Sequence, residues 1–412
     1  MNEKQTQSTS FNGYQKLVIF LLAITQFTVV LDFMVMSPLG DIMMKTLKIT
    51  ASQFGVAVSA YAFSAGISGL LTAGFADKFD RKKLLLFFYV GFTIGTLFCA
   101  LAPNFYLLVG ARIFTGLFGG VIGSISMAIV ADLFSLQQRG KVMGFIQMGF
   151  GVSQVLGIPI GLYIANAWGW HVPFLWIAGM AVIIIAILYF RLQPIAEHLN
   201  LKQEKTAVQH LLHTISKKNY QVGFMSTALL SIGGFMMMPF GSAFAINNLK
   251  VTNDELPLLF MVTGIATLIS MPFIGKLSDK VNKFKIFAFA TVSAVILINI
   301  YSHFGPTSFS IVLLTNVFMM VTIMSRMVPS TTLTSAVPDP QDRGAFMSIN
   351  SSLQQMAGGF GAVIAGLIIV QKDSYAPLEH YDILAMVASS IMLLTIYLVF
   401  RVSKIVDTKT RI

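Results

Sequence analysis

Three charged residues of this 412-residue chain interrupt long apolar stretches, and they are its first candidates for chemistry. Asp32 lies in the first such stretch, Arg112 in the fourth and Arg326 in the tenth. A charged side chain at the centre of a bilayer costs about 2.5–3.5 kcal/mol to insert, so it is retained where it has a function. A carboxylate in such a place can take up and release a proton. We therefore expect Asp32 to be a proton-coupling group.

Each of the three charges also has a structural interpretation. Asp32 can form a fixed ion pair with Arg112. Arg112 can lower the pKa of a nearby carboxylate in one conformation and withdraw in another, or it can be a buried hydrogen-bonding anchor. Arg326 has no basic counterpart at Ile122, the equivalent position of the repeat described below. An anionic substrate group or Asp32 is its expected partner, unless the side chain extends to the membrane surface.

Uncharged polar side chains in the same stretches are candidates to line a substrate cavity. They are Gln26, Gln147, Gln154, Asn316, Gln354 and Gln355. Hydrogen bonding between helices is the alternative role of each. The chain has no glycine-rich phosphate loop and no His-Glu-x-x-His sequence, and nothing completes a metal site around His210 and His213. We therefore expect no cofactor, no metal and no enzymatic reaction.

Composition places these residues in a membrane. The chain is 55% hydrophobic and 11% charged, whereas about 25% of the residues of a soluble domain are charged. A membrane span needs about 20 consecutive apolar residues. Twelve stretches qualify: 16–38, 52–75, 84–102, 105–133, 140–165, 172–191, 221–247, 256–276, 286–304, 308–336, 345–370 and 382–401. The sequence therefore predicts an all-α polytopic membrane protein with twelve transmembrane helices.

The net charge of +11 is distributed according to membrane topology. The connectors on one side, together with both termini, hold most of the Lys and Arg residues. The opposite connectors hold only Lys45, Lys48, Lys250 and Lys372. Cytoplasmic connectors carry such an excess of basic residues. We expect both termini in the cytoplasm, a location in the cell inner membrane, and no nucleic-acid partner.

The chain is predicted to consist of two halves. The longest polar segment, 192–219, separates an N-terminal six-helix bundle, 1–191, from a C-terminal six-helix bundle, 220–412. Apolar residues at helical spacing within this linker predict an amphipathic helix on the cytoplasmic face: Ala207, Val208, Leu211, Leu212 and Ile215.

Landmarks recur in the two halves. Asp77 closes the second span and Asp279 closes the eighth, 202 positions later. Gly157 of span five and Gly361 of span eleven are 204 positions apart, and so are Arg139 and Arg343 at the starts of these spans. Two halves with the same internal order predict a pseudo-twofold arrangement with the substrate path between them.

Several motifs follow one another along the chain. The loop after span two contains an Asp-Lys-x-x-Arg-Lys pattern formed by Asp77, Lys78, Arg81 and Lys82, and Asp80 follows two residues after Lys78. Span four contains Arg112, Gly116 and Gly120 at intervals of four. Span five is rich in small residues and proline: Gly149, Gly151, Gly157, Pro159 and Gly161. Span one contains Leu31-Asp32-Phe33, followed by Pro38-Leu39-Gly40.

Together these motifs resemble the major facilitator superfamily over essentially the whole chain. The loop is similar to the superfamily signature G-x-x-x-D-(R/K)-x-G-(R/K)-(R/K), with Ala73 and Asp80 in place of its glycines. Span five is similar to the antiporter motif, although Ile158 separates a glycine and a proline that are usually adjacent. Span one resembles the twelve-helix drug:proton antiporter branch, including arabinose-efflux-permease-like exporters. The resemblance implies the major facilitator fold.

The loop after span two is expected to act as a gate. Asp77 can accept hydrogen bonds at the N-terminus of span eleven, and Asp279 can do the same at span five. These contacts exist only when the halves close on the cytoplasmic side, so they favour the outward-open state. Arg81 and Asp132 are expected to extend them into a charge network. The alternative is that these residues are solvated charges that only set topology.

Span five is expected to contribute to the same gate. Its glycines allow close helix packing and Pro159 kinks the helix. Packing around Gly157 and Pro159 is expected to seal the interface of the halves against leak.

The leading functional hypothesis is a proton-coupled antiporter that exports small amphipathic compounds, such as drugs, sugars or metabolites, by alternating access. The alternatives are a proton symporter or facilitator importing a small metabolite, for which Arg326 suggests an anionic group, and a non-transporting membrane sensor on the same scaffold. The expected partners are a small-molecule substrate, protons and membrane lipid, and the chain is expected to function as a monomer.

Overall fold

A computed structural model describes residues 11–72, 76–196, 199, 207–339 and 342–410. Within these residues the regular structure is helical, and the only β feature is an isolated bridge between Val370 and Glu379. The all-α architecture predicted from the sequence is confirmed.

The helices up to residue 191 are α1 Gly13–Val35, α2 Gly40–Leu47, α3 Ala51–Thr72, α4 Arg81–Ala100, α5 Phe105–Leu133, α6 Leu136–Val152, a π-helical segment Ser153–Gly157, α7 Ile158–Trp168 and α8 His171–Arg191. From residue 207 they are α9 Ala207–Ser216, α10 Lys218–Phe235, a short 3-10 turn Met238–Phe240, α11 Gly241–Asn247, α12 Glu255–Lys280, α13 Lys283–Ser302, α14 Phe309–Ser325, α15 Met327–Ser335, α16 Arg343–Ile368 and α17 Tyr381–Thr410.

Eleven stretches of the described chain are long and apolar enough to cross a membrane. The remaining long helix, α16, has 26 residues and therefore extends about 39 Å. It is less apolar because it carries Asn350, Gln354 and Gln355 in its N-terminal half. With α16 as the twelfth, the chain has the twelve long segments that the sequence predicts.

Three predicted spans are interrupted helices. The span predicted over 140–165 consists of α6, the π-helical segment and α7, and Pro159 lies two residues after that segment. The span predicted over 221–247 breaks beside Pro239, and the span over 308–336 breaks at Arg326, three residues before Pro329. A proline lies at or shortly after each interruption, where it has no N–H group to donate and its ring crowds the carbonyl four residues earlier.

Buried apolar residues form three clusters. One cluster lies within residues 18–195 and a second within residues 220–402. The third joins residues from both parts of the chain, including Leu39 and Phe54 with Phe240 and Phe244. This distribution supports two bundles that share one core, while the predicted domain boundaries at 191 and 219 stay predictions.

Helix α9 lies in the linker where the sequence predicts an amphipathic helix. It packs against α10 and α16. Thr214 is buried, whereas Leu212 is 63% and Ile215 42% exposed, so these apolar side chains face away from the protein. The side chains of Ala207, Val208, His210 and Leu211 lie outside the described part. The placement of α9 on the membrane surface stays a prediction.

The internal repeat extends to local geometry. The Asp80 side chain accepts a hydrogen bond from Lys83 N at the start of α4, and Asn282, 202 positions later, accepts from Lys285 N at the start of α13. Arg81 then donates to Ala76 O, five residues back, at 3.1 Å. Its counterpart Lys283 likewise donates to a carbonyl five residues back, Ser278 O, at 3.0 Å. The Asp in place of the second signature glycine therefore caps a helix.

Candidate functional site

Asp32 and Arg112 form a fully buried ion pair. Arg112 Nη1 donates to Asp32 Oδ2 at 2.8 Å, and both side chains are 0% exposed. Thr96 Oγ1 donates to the other carboxylate oxygen, Oδ1, at 3.0 Å. Arg112 Nε and Nη2 have no nitrogen or oxygen partner among the described residues. The pair therefore combines a satisfied carboxylate with a cation that has donors to spare.

Close contact between helices brings these groups together. Asp32 comes from α1, Thr96 from α4 and Arg112 from α5. Helices α4 and α5 approach at Gly95, where a Cβ atom would lie 2.8 Å from Thr115 Cα. This close approach lets α4 present Thr96 to the carboxylate beside Arg112.

The glycines that follow Arg112 serve a second contact, with α3. A Cβ at Gly116 would lie 2.5 Å from Tyr61 O, and one at Gly120 would lie 2.5 Å from Ala65 Cα. The two helices can therefore touch only because these residues lack side chains. The contact places the Tyr61 ring 4.6 Å from Arg112 Cζ.

A stripe of small residues holds α1, the helix of Asp32. A Cβ at Gly149 would lie 2.9 Å from Ala23 O, and one at Gly157 would lie 2.6 Å from Leu31 Cδ1. Between them Ser153 Oγ donates to Phe27 O at 3.1 Å. Pro159 is buried at the start of α7. Span five thus packs against α1 beside Asp32, and its role as a seal stays a prediction.

Arg326 lies at the break between α14 and α15 and is 1% exposed. Its Nε donates to Thr291 Oγ1 at 3.1 Å, and Phe287 lies 5.5 Å from its Cζ. Its Nη2 has no partner, and no carboxylate of the described chain lies within 4.0 Å of it. Asp32, one of its two expected partners, is paired with Arg112 instead.

No hydrogen bond of the described chain joins any two of the six predicted cavity amides. Thr263 Oγ1 donates to Asn316 Oδ1 at 3.0 Å, which is a contact between α12 and α14. Gln147 is exposed, whereas the other five amides are half-buried: Gln26, Gln154, Asn316, Gln354 and Gln355. Their role in binding a substrate stays a prediction.

Of the predicted gate, the structure describes one ion pair. Arg81 Nε and Asp132 Oδ2 are 3.1 Å apart, which joins the start of α4 to the end of α5. The side chains of Asp77 and Asp279 lie outside the described part, so their contacts stay predictions. A further contact was not predicted from the sequence: Asp80 Oδ2 accepts a hydrogen bond from Ile195 N at 3.0 Å.

A second ionic cluster lies where the linker enters α10. Lys217 Nζ lies 2.5 Å from Asp342 Oδ2, and the Tyr220 hydroxyl lies 2.8 Å from the same oxygen. The hydrogen bond from Lys217 to Asp342 raises the pKa of the lysine. Lys217 therefore stays charged at physiological pH and joins the linker to the start of α16.

At the opposite end of the molecule the two parts of the chain are joined directly. We call this the α2 end. The Ser37 hydroxyl donates to Met238 O, and Ser242 Oγ donates to Ser37 O at 3.0 Å. Asn247 Nδ2 donates to Asp41 Oδ1 at 2.6 Å, and all of these side chains are nearly buried. The α2 end is therefore closed.

Several residues of these sites carry no signal in the sequence. Tyr61 and Thr96 are neutral side chains, and tyrosine or threonine occurs in most of the predicted spans. Their functional position follows only from helix contacts. Within the described residues no group of three or more His, Cys, Asp and Glu side chains could hold a metal ion.

Comparison with known families identifies the family to which this chain belongs. The sequence pattern of the Major Facilitator Superfamily matches residues 22–362 and, in an overlapping second match, residues 223–410. The chain belongs to the major facilitator superfamily. It is therefore a multi-pass membrane transporter of small molecules, and the expected superfamily is confirmed.

Two relatives of this transporter come from bacteria. The uncharacterized MFS-type transporter YbcL of Bacillus subtilis is 25% identical over 383 residues, which is 92% of this chain and 95% of that protein. The probable sugar efflux transporter of Helicobacter pylori is 25% identical over 288 residues, 69% of this chain and 72% of that protein. Both are named as transporters.

Solved structures share the fold. A bacterial homolog of the human lysosomal transporter Spinster, inward-facing and unoccupied, has a TM-score of 0.77 at 15% identity and covers 97% of this chain and 99% of its own. A D-xylose-proton symporter has a TM-score of 0.75 at 18% identity and covers 92% of this chain and 97% of its own. These neighbours confirm the predicted major facilitator fold.

Proposed function

We propose that this transporter is a proton-coupled antiporter of the drug:proton antiporter branch, which exports small neutral or amphipathic compounds. It acts as a monomer in the cell inner membrane, with both termini in the cytoplasm. The observation that carries the proposal is the Asp32–Arg112 pair, in which both side chains are 0% exposed.

The energetics of a buried pair explain why proton uptake drives a conformational change. Protonation of Asp32 removes the charge that compensates Arg112. An uncompensated buried charge typically destabilises a protein by about 3–5 kcal/mol. The protonated molecule is therefore expected to favour a different helix arrangement, in which Arg112 finds other partners. Because α1 also packs on span five, a movement of Asp32 is expected to displace both α1 and span five.

The closed α2 end defines the transport step. Contacts of Ser37 and Asp41 with the second half must break before a substrate can leave on that side. We assign the α2 end to the external face because its connectors hold few basic residues. A proton entering from outside would then reach Asp32 in exchange for the exported compound.

Two features support an uncharged or amphipathic substrate. The polar residues proposed for the cavity are amides, which hydrogen-bond hydroxyl groups without requiring a charge on the ligand. One group of relatives is named as probable sugar efflux transporters. Sugars are therefore the first substrates to test, followed by amphipathic drugs.

Asp32→Asn tests the coupling. In liposomes with an imposed pH gradient, the variant is expected to lose uphill transport of a labelled pentose, hexose or cationic dye that the wild-type protein accumulates. Exchange of the same compound without a gradient should persist, because the amide keeps the shape of the site. Asp254→Asn, which alters an exposed carboxylate at the start of α12, serves as the matched control. Full gradient-driven transport by Asp32→Asn contradicts the proposal.

A second candidate function, import of an anionic metabolite with protons, is favoured by Arg326. This buried cation has an unpaired Nη2 and no carboxylate partner among the described residues. Counterflow of labelled mono- and dicarboxylates tests it. Uptake that requires a proton gradient of the same direction and that disappears in Arg326→Gln supports import. If the wild-type protein transports no carboxylate, this candidate function is eliminated.

A further inference from the structure

The face of the Tyr61 ring covers the guanidinium group of Arg112. The distance from Arg112 Cζ to the ring centre is 4.6 Å, and the two side chains are 2% and 0% exposed. A cation over an aromatic face is stabilised most where water is absent. Because both side chains are buried, this contact stabilises the cation more than the same contact at an exposed surface would.

The ring, rather than the hydroxyl group, makes this contact. Among the described residues the Tyr61 hydroxyl forms no hydrogen bond with Arg112 or Asp32. It lies over Gly119, where a Cβ atom would be only 2.7 Å from the hydroxyl oxygen. The absence of a side chain at Gly119 thus makes room for a tyrosine at this position. Phenylalanine would preserve the ring face.

The contact matters most when Asp32 is protonated. In the pair as described, the carboxylate compensates Arg112 at 2.8 Å. Once that charge is neutralised, the other groups that contact the guanidinium are the Tyr61 ring and the Cys99 thiol. Of these, the ring covers the face of the guanidinium group, whereas the thiol is a weak acceptor at its edge.

We propose that Tyr61 is a positioning residue of the proton-coupling step, which holds Arg112 in place as a cation while Asp32 carries the proton. The inference rests on the proposed function, because it assumes that Asp32 titrates. It adds a residue of α3 to a site whose charges come from α1 and α5. Proton uptake thereby becomes linked to the α3–α16 contact between the two halves, in which Gly55 faces Ala362.

The test follows Asp32 itself and needs no substrate. Infrared difference spectra of the purified protein are recorded across a pH titration, and the carboxylic C=O band lost in Asp32→Asn reports protonation of Asp32. Tyr61→Leu removes the ring contact from both states, and the protonated state loses more stabilisation because its guanidinium group has no counter-ion. The midpoint of the titration should therefore fall by about one pH unit. Tyr61→Phe should keep the midpoint of the wild type.

A matched control separates the ring contact from the loss of any buried tyrosine. Tyr89→Leu removes a tyrosine that is 0% exposed in the same bundle and bonds Thr28 rather than Arg112. Its midpoint should not move. The proposal is overturned if Tyr61→Leu keeps the wild-type midpoint, or if Tyr61→Phe or Tyr89→Leu shifts it equally. Absence of any band that depends on Asp32 overturns the proton-coupling function as well, so the two failures differ.

Discussion

At the scale of single residues, the Asp32 carboxylate receives one hydrogen bond from a cation and one from a hydroxyl group. Arg112 and Thr96 supply them at 2.8 Å and 3.0 Å. Both bonds stabilise the ionised carboxylate more than the protonated one, so both oppose proton uptake. We expect Tyr61 to act in the other direction, because it stabilises Arg112 more after uptake than before. Burial of the site and these contacts together determine the pH at which Asp32 binds a proton.

Thr96→Val should make Asp32 easier to protonate. Valine keeps the shape of threonine but removes the hydroxyl donor, so the ionised form loses a hydrogen bond and the protonated form loses less. A hydrogen bond to a charged group contributes about 1.5–3 kcal/mol. The midpoint of the Asp32 infrared titration should therefore rise by one pH unit or more, opposite to Tyr61→Leu.

Thr93→Val, one turn earlier on α4, provides the control. The Thr93 hydroxyl bonds Tyr89 O of its own helix at 2.8 Å and does not contact the pair. The midpoint of the Asp32 infrared titration in Thr93→Val should equal that of the wild type. An unchanged midpoint in Thr96→Val would mean that this hydrogen bond does not favour the ionised carboxylate.

The charged members of the site were predictable, and the neutral ones were not. Asp32 and Arg112 interrupt apolar stretches, and burial of a charge is costly enough to mark it as functional. Burying the uncharged side chains of Tyr61 and Thr96 costs little free energy compared with burying a charge. Similar residues therefore occur in most of the spans. Only the three-dimensional contacts of α3, α4 and α5 distinguish these two.

At the scale of elements, the approach of α5 to α3 determines where Arg112 lies. Gly120 faces Ala65, and a Cβ atom there would lie 2.5 Å from both Ala65 Cα and Ala65 O. Backbone atoms cannot move aside as a flexible side chain does. Any substitution at Gly120 must therefore push the two helices apart.

Gly120→Ala should destabilise the transporter, whereas Gly110→Ala in the same helix should not. Overpacking of a filled interface costs about 1–3 kcal/mol. A Cβ atom at Gly110 meets nothing within 4 Å. Melting curves of the two variants in detergent should therefore differ, with Gly120→Ala several degrees below the wild type. Equal melting temperatures for the two variants would contradict the close contact of α3 with α5.

The interruptions of the spans were partly predictable. Pro159 suggests a kink in span five, and a π-helical segment, Ser153–Gly157, precedes it. The sequence does not specify this form, because a proline can be accommodated by a bend, a break or a wider turn. Contact with α1, through Ser153 and Phe27, accompanies the form observed.

At the scale of the whole molecule, the closed α2 end reflects the internal repeat. Ser37 meets Ser242, 205 positions later, and Asp41 meets Asn247, 206 positions later. Nearly equivalent residues of the two halves therefore contact each other, as expected around a pseudo-twofold axis. The repeat in the sequence predicted such an axis. The repeat could not specify which end is closed, because the same sequence forms both the state closed at the α2 end and the state closed at the opposite end.

A covalent link across the α2 end should arrest transport. Ser37→Cys and Ser242→Cys are combined in a Cys99→Ser background, so that the two introduced thiols are the only ones. Oxidation should join the halves in the closed arrangement and abolish counterflow in liposomes. A reductant should restore it, because alternating access requires this end to open.

The control link joins two residues of the same half. Lys372 and Glu379 form an ion pair of 2.7 Å in the connector before α17, with side chains 75% and 41% exposed. Lys372→Cys with Glu379→Cys, oxidised in the same background, should leave counterflow intact, because that link crosses no interface between the halves. If the link between positions 37 and 242 forms in full and counterflow continues, the α2 end does not open during the cycle. In that case the substrate would have to leave by another route, and the assignment of this end as the external gate would be wrong.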